Sequence, residues 1–188
     1  MKIPIEISAR HIHLSQKDLE KIFGKKYKLT PWKKLTQPGQ FAAKETLDIQ
    51  NNNKRILKVR IVGPVRKKTQ VELSLTDGFD LGLKLPIRES GDLKGSPGIL
   101  LIGPKNKLNL KEGVICDWRH IHLNPKEANR LKVEKKDFIS LKIDGNRKIT
   151  FHNIKVRIDK NYRLCVHLDT DEGNAAGIIK KDFGKLIL

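Results

Sequence analysis

The pentapeptide Arg10-His11-Ile12-His13-Leu14 recurs letter for letter as Arg119-His120-Ile121-His122-Leu123, placing four of the six histidines in two copies of one motif. In extended backbone, side chains two apart project to the same face, so each His-x-His presents two imidazoles side by side. Neutral imidazole nitrogen is a common zinc ligand, and two such pairs point to a two-metal site. A single His-x-His is an ordinary surface or core feature; a duplicate of the whole pentapeptide asks for a shared chemical purpose.

Tetrahedral zinc needs donors beyond two imidazoles, and carboxylate oxygen is the usual supplement. Glu72 is the preferred candidate, because alternation along Gln70-Val71-Glu72-Leu73-Ser74 sets Gln70, Glu72 and Ser74 on one strand face. Cys165, His167 and Asp169 share a face in the same way, which makes His167 a candidate ligand, base or partner to a ligand. A position left open on the metal would accept a soft donor such as a thiolate. His152, beside Asn153, reads as an exposed turn residue.

Anion binding has two candidate segments. Gly63-Pro64-Val65-Arg66-Lys67-Lys68 sets three cations directly after a turn, and the loop from Ser90 to Gly98 offers backbone amides that could cradle an anion. Neither is a Walker loop or a dinucleotide fingerprint, and no nucleophile elbow is present.

The elements that must position these groups are mostly short strands. Lys2–Ser8 alternates Ile3, Ile5 and Ile7 with polar residues and Pro4, which predicts a strand running into the first histidine motif. Ser15-Gln16-Lys17-Asp18 then starts a helix through Phe23 that ends at Gly24. Asn124-Pro125-Lys126-Glu127 repeats that helix start after the second motif, so each pentapeptide sits at a strand-to-helix corner. Further strands are predicted at 46–49, 57–62, 69–75, 99–102, 113–116, 138–143, 148–151, 154–158 and 163–168, divided by Gly-, Pro- and Asn-containing turns. Many short strands with few helices predict a mainly β protein built of small barrels or sandwiches, and the duplicated corner suggests two similar modules.

At 188 residues, 38% of them hydrophobic, the chain can fill one large core or two modest ones. It has no apolar run long enough to cross a membrane as a helix and no secretory signal at its start, so a cytoplasmic location is expected. Cys116 and Cys165 are expected to be buried thiols, not a bridge. The net charge of +18 implies attraction to polyanions, whether nucleic acid or a phosphate-rich small ligand. Aromatic residues make up only 5% and do not interleave with the basic ones, which argues against a stacking surface for nucleic acid.

Taken together the motifs resemble the PduL-type phosphate propanoyltransferases, also called phosphotransacylases. The stretches that carry the resemblance are Ser8–Leu14, Gln37–Thr46, Gly63–Glu72, Ser90–Gly98, Arg119–His122 and Asp169–Gly177, in family order over nearly the whole chain. The resemblance implies two small β-barrel modules interleaved through the N-terminal strand: residues 1–9 with 118–188, and residues 10–117, with a metal site between them. It implies the exchange acyl-CoA + phosphate ⇌ acyl phosphate + CoA, with acetyl- or propionyl-CoA as substrate, two Zn²⁺ per chain and a homodimer. By motif, His11 and His13 would hold one zinc, and Glu72, His120 and His122 the other. Arg66 would bind the attacking phosphate, His167 would act beside it, and Gln37, Gln40, Gln70, Ser90 and Arg157 would line or support the site. The chain begins at the catalytic region, without the N-terminal extension that directs some relatives into microcompartments, so the cytoplasm is expected over a microcompartment lumen. The tail from Ile178 to Leu188 carries no readable signal.

Two other functions fit the donor set alone. A dizinc hydrolase would cleave thioesters or phosphates with metal-activated water, and a basic nucleic-acid-binding protein would use zinc structurally. Direct attack by phosphate is expected over an acyl-cysteine intermediate.

Overall fold

Strand alternation governs the architecture. Ile3 and Ile5 are fully buried while Lys2 between solvent and strand stays exposed, and Ile12 and Ile121, each flanked by two histidines, have no exposed surface. The isoleucine of each motif therefore anchors a core, and its histidines face the opposite side of the strand. The structure, a computed structural model, describes residues 2–178 and 182–187.

In chain order the first elements are β1 (Lys2–Ser8), β2 (His11–His13), α1 (Gln16–Phe23), β3 (Pro31–Lys34), β4 (Phe41–Asn51), β5 (Lys54–Gly63) and β6 (Gln70–Glu72). They are followed by α2 (Leu75–Leu81), β7 (Ile87–Arg88), β8 (Ile99–Ile102), β9 (Lys107–Leu110) and β10 (Val114–Asp117). The remainder comprises β11 (His120–Leu123), α3 (Pro125–Leu131), β12 (Phe138–Ile143), β13 (Ile149–Ile158), β14 (Cys165–Asp169), α4 (Thr170–Ala176) and β15 (Asp182–Ile187). Strand accounts for 46% and helix for 16%, so the chain is mainly β, as expected.

Two compact units divide the chain. One comprises residues 1–9, 36–38 and 118–188, the other residues 10–35 and 39–117. In the first unit β1, β14, β11, β13, β12 and β15 close into a six-stranded barrel around Ile3, Ile5, Ile121, Leu141, Ile154, Val156 and Val166. In the second, β2 to β10 form one sheet curled into a half-barrel, with Ile12, Leu47, Ile49, Ile61, Val71 and Leu101 in its core.

The same pairing scheme appears in each unit. β11 pairs parallel with β13 and antiparallel with β14, as β2 pairs parallel with β5 and antiparallel with β6. α1 and α3 follow the two histidine strands, and α2 and α4 follow β6 and β14. The duplicated pentapeptide is thus the visible part of a longer structural repeat.

Several elements depart from the sequence reading. The residues from Thr69 to Leu75 give a three-residue strand followed by α2, because Ser74 and Asp77 form a capping box that starts a helix where a longer strand was expected. α4 likewise starts on a capping box, between Asp169 and Glu172. β13 runs unbroken through His152 and Asn153; the expected turn is an irregularity in the β12 pairing, with Asn153 at φ 57°. His152 is exposed as expected, and its Nδ1 lies 2.8 Å from Ser140 Oγ. The unread tail contains β15, which pairs antiparallel with both β1 and β12 and so completes the barrel; residues 179–181 and 188 of that tail lie outside the described residues.

Candidate metal centres and active-site residues

In the half-barrel unit, strand register sets the donors. His11 faces Glu72 across the antiparallel β2–β6 pair, and His13 faces Gln70. The Nε2 atoms of His11 and His13 approach to 3.1 Å, and Glu72 carboxylate oxygens lie 3.3 Å from His11 Nε2 and 3.9 Å from His13 Nε2. His13 Nδ1 is 2.9 Å from the Val62 carbonyl, which can only accept, so Nδ1 carries the proton and Nε2 presents its lone pair to the cluster. Two imidazole nitrogens and a carboxylate converge within 4.8 Å of one another, a donor set that could hold a metal ion. The motif resemblance grouped Glu72 with His120 and His122; within its own unit the register sets it beside the His11–His13 pair, since β6 is the neighbour of β2.

Electrostatics agrees with that geometry. Burial, reinforced by the nearby His11, holds the His13 imidazole down at about 3, so it is neutral at physiological pH. Burial alone would raise the Glu72 carboxyl, but His11, His13 and Arg66 outweigh it and hold the group at about 2, ionised.

Ser90 links the remaining polar groups of this unit. Its hydroxyl donates to Glu72 at 2.8 Å and accepts from Arg66 Nη1 and Gln70 Nε2, both at 2.7 Å, filling its one donor and two acceptor positions. Gln70 Nε2 also donates to Glu72. Arg66 is fixed from behind, its amide donating to the Leu14 carbonyl at 2.8 Å directly after the His11–His13 strand. A third of its side chain remains exposed, so a guanidinium flanks the metal donors and still meets solvent. The glycine-rich loop spends part of its backbone internally. Its amides at Ser90 and Gly95 donate to the Asp117 and Glu112 carboxylates, and that at Ser96 to the Leu93 carbonyl, so they are committed to the protein itself. The functional group of that loop is the Ser90 hydroxyl.

In the barrel unit three imidazoles gather. His120 faces His167 across the β11–β14 pair, the position Glu72 holds relative to His11, and His122 faces Cys165. Ring centroids are 4.7 Å apart for His120 and His122, 5.1 Å for His120 and His167, and 5.0 Å for His122 and His167. His120 Nδ1 donates to the Trp118 carbonyl at 2.8 Å, leaving Nε2 for a ligand role, and His122 Nδ1 is buried with no hydrogen-bond partner among the described residues. Burial drives His120 well below the usual imidazole range, helped by Arg157 and His167, and holds His122 at about 3, helped by His167 and Arg157. Arg157, the register partner of His122 on β13, adds to what burial does. Glu6, Cys165 and His167 also bring one donor atom each within 4.8 Å of one another.

Other expected residues divide into support and periphery. Gln37 is buried and binds the Arg163 backbone with both ends of its amide, at 2.9 and 3.1 Å, a clamp that ties residues 36–38 into the barrel unit. Gln40 is half-buried, and its carbonyl accepts from the Leu35 amide at 3.1 Å. Cys116 and Cys165 are both buried. Arg60 went unnoticed in the sequence: it is the register partner of His11 on β5, and its guanidinium lies 4.8 Å over the exposed Trp32 ring. Only the pairing of β2 with β5, nearly fifty residues downstream, reveals it.

Comparison with known proteins gives the family. The family model described as phosphate propanoyltransferase matches residues 4–179. The chain belongs to the phosphate propanoyltransferase family. A phosphate propanoyltransferase of Thermotoga maritima is 49% identical over 93% of this chain and 83% of its own length. One from Listeria monocytogenes is 44% identical over 98% and 87%, and one from Salmonella typhimurium 44% identical over 93% and 83%. The chain is accordingly a transferase of the phosphate acyltransferase kind. No helix among the described residues is long and apolar enough to cross a membrane.

Proposed function

We propose that this phosphate propanoyltransferase family member interconverts acyl-CoA plus phosphate with acyl phosphate plus CoA, with acetyl- or propionyl-CoA as the acyl donor and direct attack by phosphate. The observation that carries the reading is the convergence of His11 Nε2, His13 Nε2 and the Glu72 carboxylate beside the Arg66 guanidinium. The donors suit two zinc ions: one would be held by His11, His13 and Glu72, whose donor atoms converge, and the other by His120, His122 and His167, whose rings gather within about 5 Å of one another. When bound, zinc would supply Lewis acidity that stabilises a thiolate leaving group.

The residues do the rest. Arg66 binds the phosphate dianion with its planar fork and aims one phosphate oxygen at the thioester carbonyl carbon. That oxygen forms the new C–O bond, the C–S bond breaks, and the electron pair leaves on the CoA sulfur. Ser90 holds Arg66 in place through the 2.7 Å bond and keeps Glu72 oriented, so the guanidinium and the donors form one hydrogen-bonded set. Arg60, beside His11 and stacked on Trp32, offers a cation to the phosphates at the nucleotide end of CoA. His167 is assigned as third imidazole of its cluster in place of a general base.

The test is to purify the protein without a histidine tag, measure its metal content and follow CoA release from acetyl- and propionyl-CoA with and without phosphate. About two metals per chain and an acyl phosphate trapped by hydroxylamine are expected. Free acid formed without phosphate would identify a hydrolase instead. Exchange of labelled CoA into acyl-CoA in the absence of phosphate would establish an acyl-enzyme and overturn direct attack.

A further inference from the structure

The repeated arginine of the two pentapeptides is unused by the chemistry above, yet it is as strictly duplicated as the histidines. Arg10 Nη2 lies 2.8 Å from Asp77 Oδ1, and Arg119 Nη1 lies 2.5 Å from Glu172 Oε1. Asp77 and Glu172 hold the same place in the fold, the third residue of α2 and of α4 respectively. Each carboxylate divides its oxygens identically. One oxygen of Asp77 accepts from the Ser74 amide at 3.2 Å and the other binds Arg10; one oxygen of Glu172 accepts from the Asp169 amide at 3.0 Å and the other binds Arg119.

The capping residues Ser74 and Asp169 stand two positions after Glu72 and His167, the donors that complete the two clusters. Each arginine therefore ties the start of a histidine-pair strand to the helix start that terminates the strand of the third donor. The helix starts are themselves packed down. A Cβ at Gly78, directly after Asp77, would come within 2.6 Å of Leu85, and one at Gly173, directly after Glu172, within 2.4 Å of Ile7. The strand pairs β2–β6 and β11–β14 share only three register positions each, and an arginine–carboxylate contact between their ends adds a fixed tie to each.

We infer that Arg10 and Arg119 are positioning residues, one for each metal cluster, setting the third donor, Glu72 or His167, against its histidine pair through Asp77 and Glu172. This rests on the metal-binding reading above. In both ties the carboxylate is the more shielded partner, 3% exposed for Asp77 and 17% for Glu172, against 45% for Arg10 and 29% for Arg119.

The test is a cobalt(II) titration of the metal-free protein, followed by visible absorption, with the thermal midpoint of the metal-free form recorded alongside. Arg10→Met is expected to weaken one of two binding events about 10- to 100-fold and leave the other unchanged, and Arg119→Met to do the reverse. Arg10→Lys and Arg119→Lys should recover part of the loss. The reversed pair, Arg10→Asp with Asp77→Arg, should bind better than Arg10→Asp alone and covers the case in which Arg10→Met fails to fold. Wild-type affinities in folded Arg→Met variants would overturn the inference while leaving the metal assignment intact. So would equal weakening of both events in step with a fall in the metal-free midpoint, the mark of general destabilisation. Failure of the unmodified protein to take up cobalt would sink the metal reading and this inference together.

Discussion

Arg66 and Glu72 lie in one hydrogen-bonded set around Ser90, yet their substitution should give separable results. Arg66→Lys keeps the positive charge and loses the planar fork, so phosphate loses one charge-assisted contact worth about 1.5–3 kcal/mol. Steady-state kinetics should show the KM for phosphate raised and kcat/KM lowered about 10- to 150-fold, with the KM for acyl-CoA little changed. Glu72→Gln removes the only anion from its cluster and should weaken metal retention by more than the roughly 10- to 100-fold typical of residues that merely support a ligand, read by metal content after dialysis against a chelator. A Glu72→Gln protein that keeps its full metal complement would remove the carboxylate from the donor set. Cys116 lies in the half-barrel core and Cys165 is fully buried, so serine at either position should leave turnover within a few-fold of the parent.

At the scale of elements, what the sequence revealed depended on how local the determining interaction was. α1 and α3 were legible because each cap lies within three residues of the acid it contacts: Ser15 with Asp18, and Asn124 with Glu127. α2 and α4 carry the same signal in Ser74–Asp77 and Asp169–Glu172, but Gly78 and Gly173 one residue later imitate a turn. β15 was illegible, since its partners β1 and β12 lie far back in the chain. For the same reason the histidine pairs were readable as neighbours on one strand face while the residue opposite each pair was not: that depends on β6 pairing with β2 and β14 with β11. The capping argument makes its own prediction. Asp169→Ala should cost about 0.5–2 kcal/mol by removing the side chain that accepts from the Glu172 amide at 2.8 Å. For a chain of this size that is about 2–4 °C per kcal/mol in the melting midpoint, and a midpoint within experimental scatter of the parent would show that α4 is held by packing alone.

The whole molecule adds two consequences of charge. With a net charge of +18 the protein attracts a CoA ester bearing several phosphate charges, so the KM for acyl-CoA should rise as ionic strength goes from low to physiological values while kcat stays level. Acid stability is the stronger test, because it adds up over both units. Burial keeps His13 and His122 at about 3 and His120 lowered as well, whereas in the unfolded chain these imidazoles titrate near 6.5. Between those values the unfolded state takes up protons that the folded state refuses, so stability falls as pH drops from about 6.5 toward 3. Glu72 acts in the same direction at lower pH, being held at about 2 against 4.5 when unfolded, so its contribution is complete above 4.5 and lost as pH falls toward 2. Each histidine contributes up to about 1.4 kcal/mol per pH unit within its window, and several share it. Denaturant midpoints of the metal-free protein should therefore decline steeply below pH 6.5, and loading with zinc should shift the decline to lower pH, since metal and proton compete for the same lone pairs. His13→Gln should make the decline shallower. A metal-free protein equally stable at pH 7 and pH 5 would mean that these imidazoles are not held neutral by burial, and the reading of each cluster as a set of neutral metal donors would lose its electrostatic support.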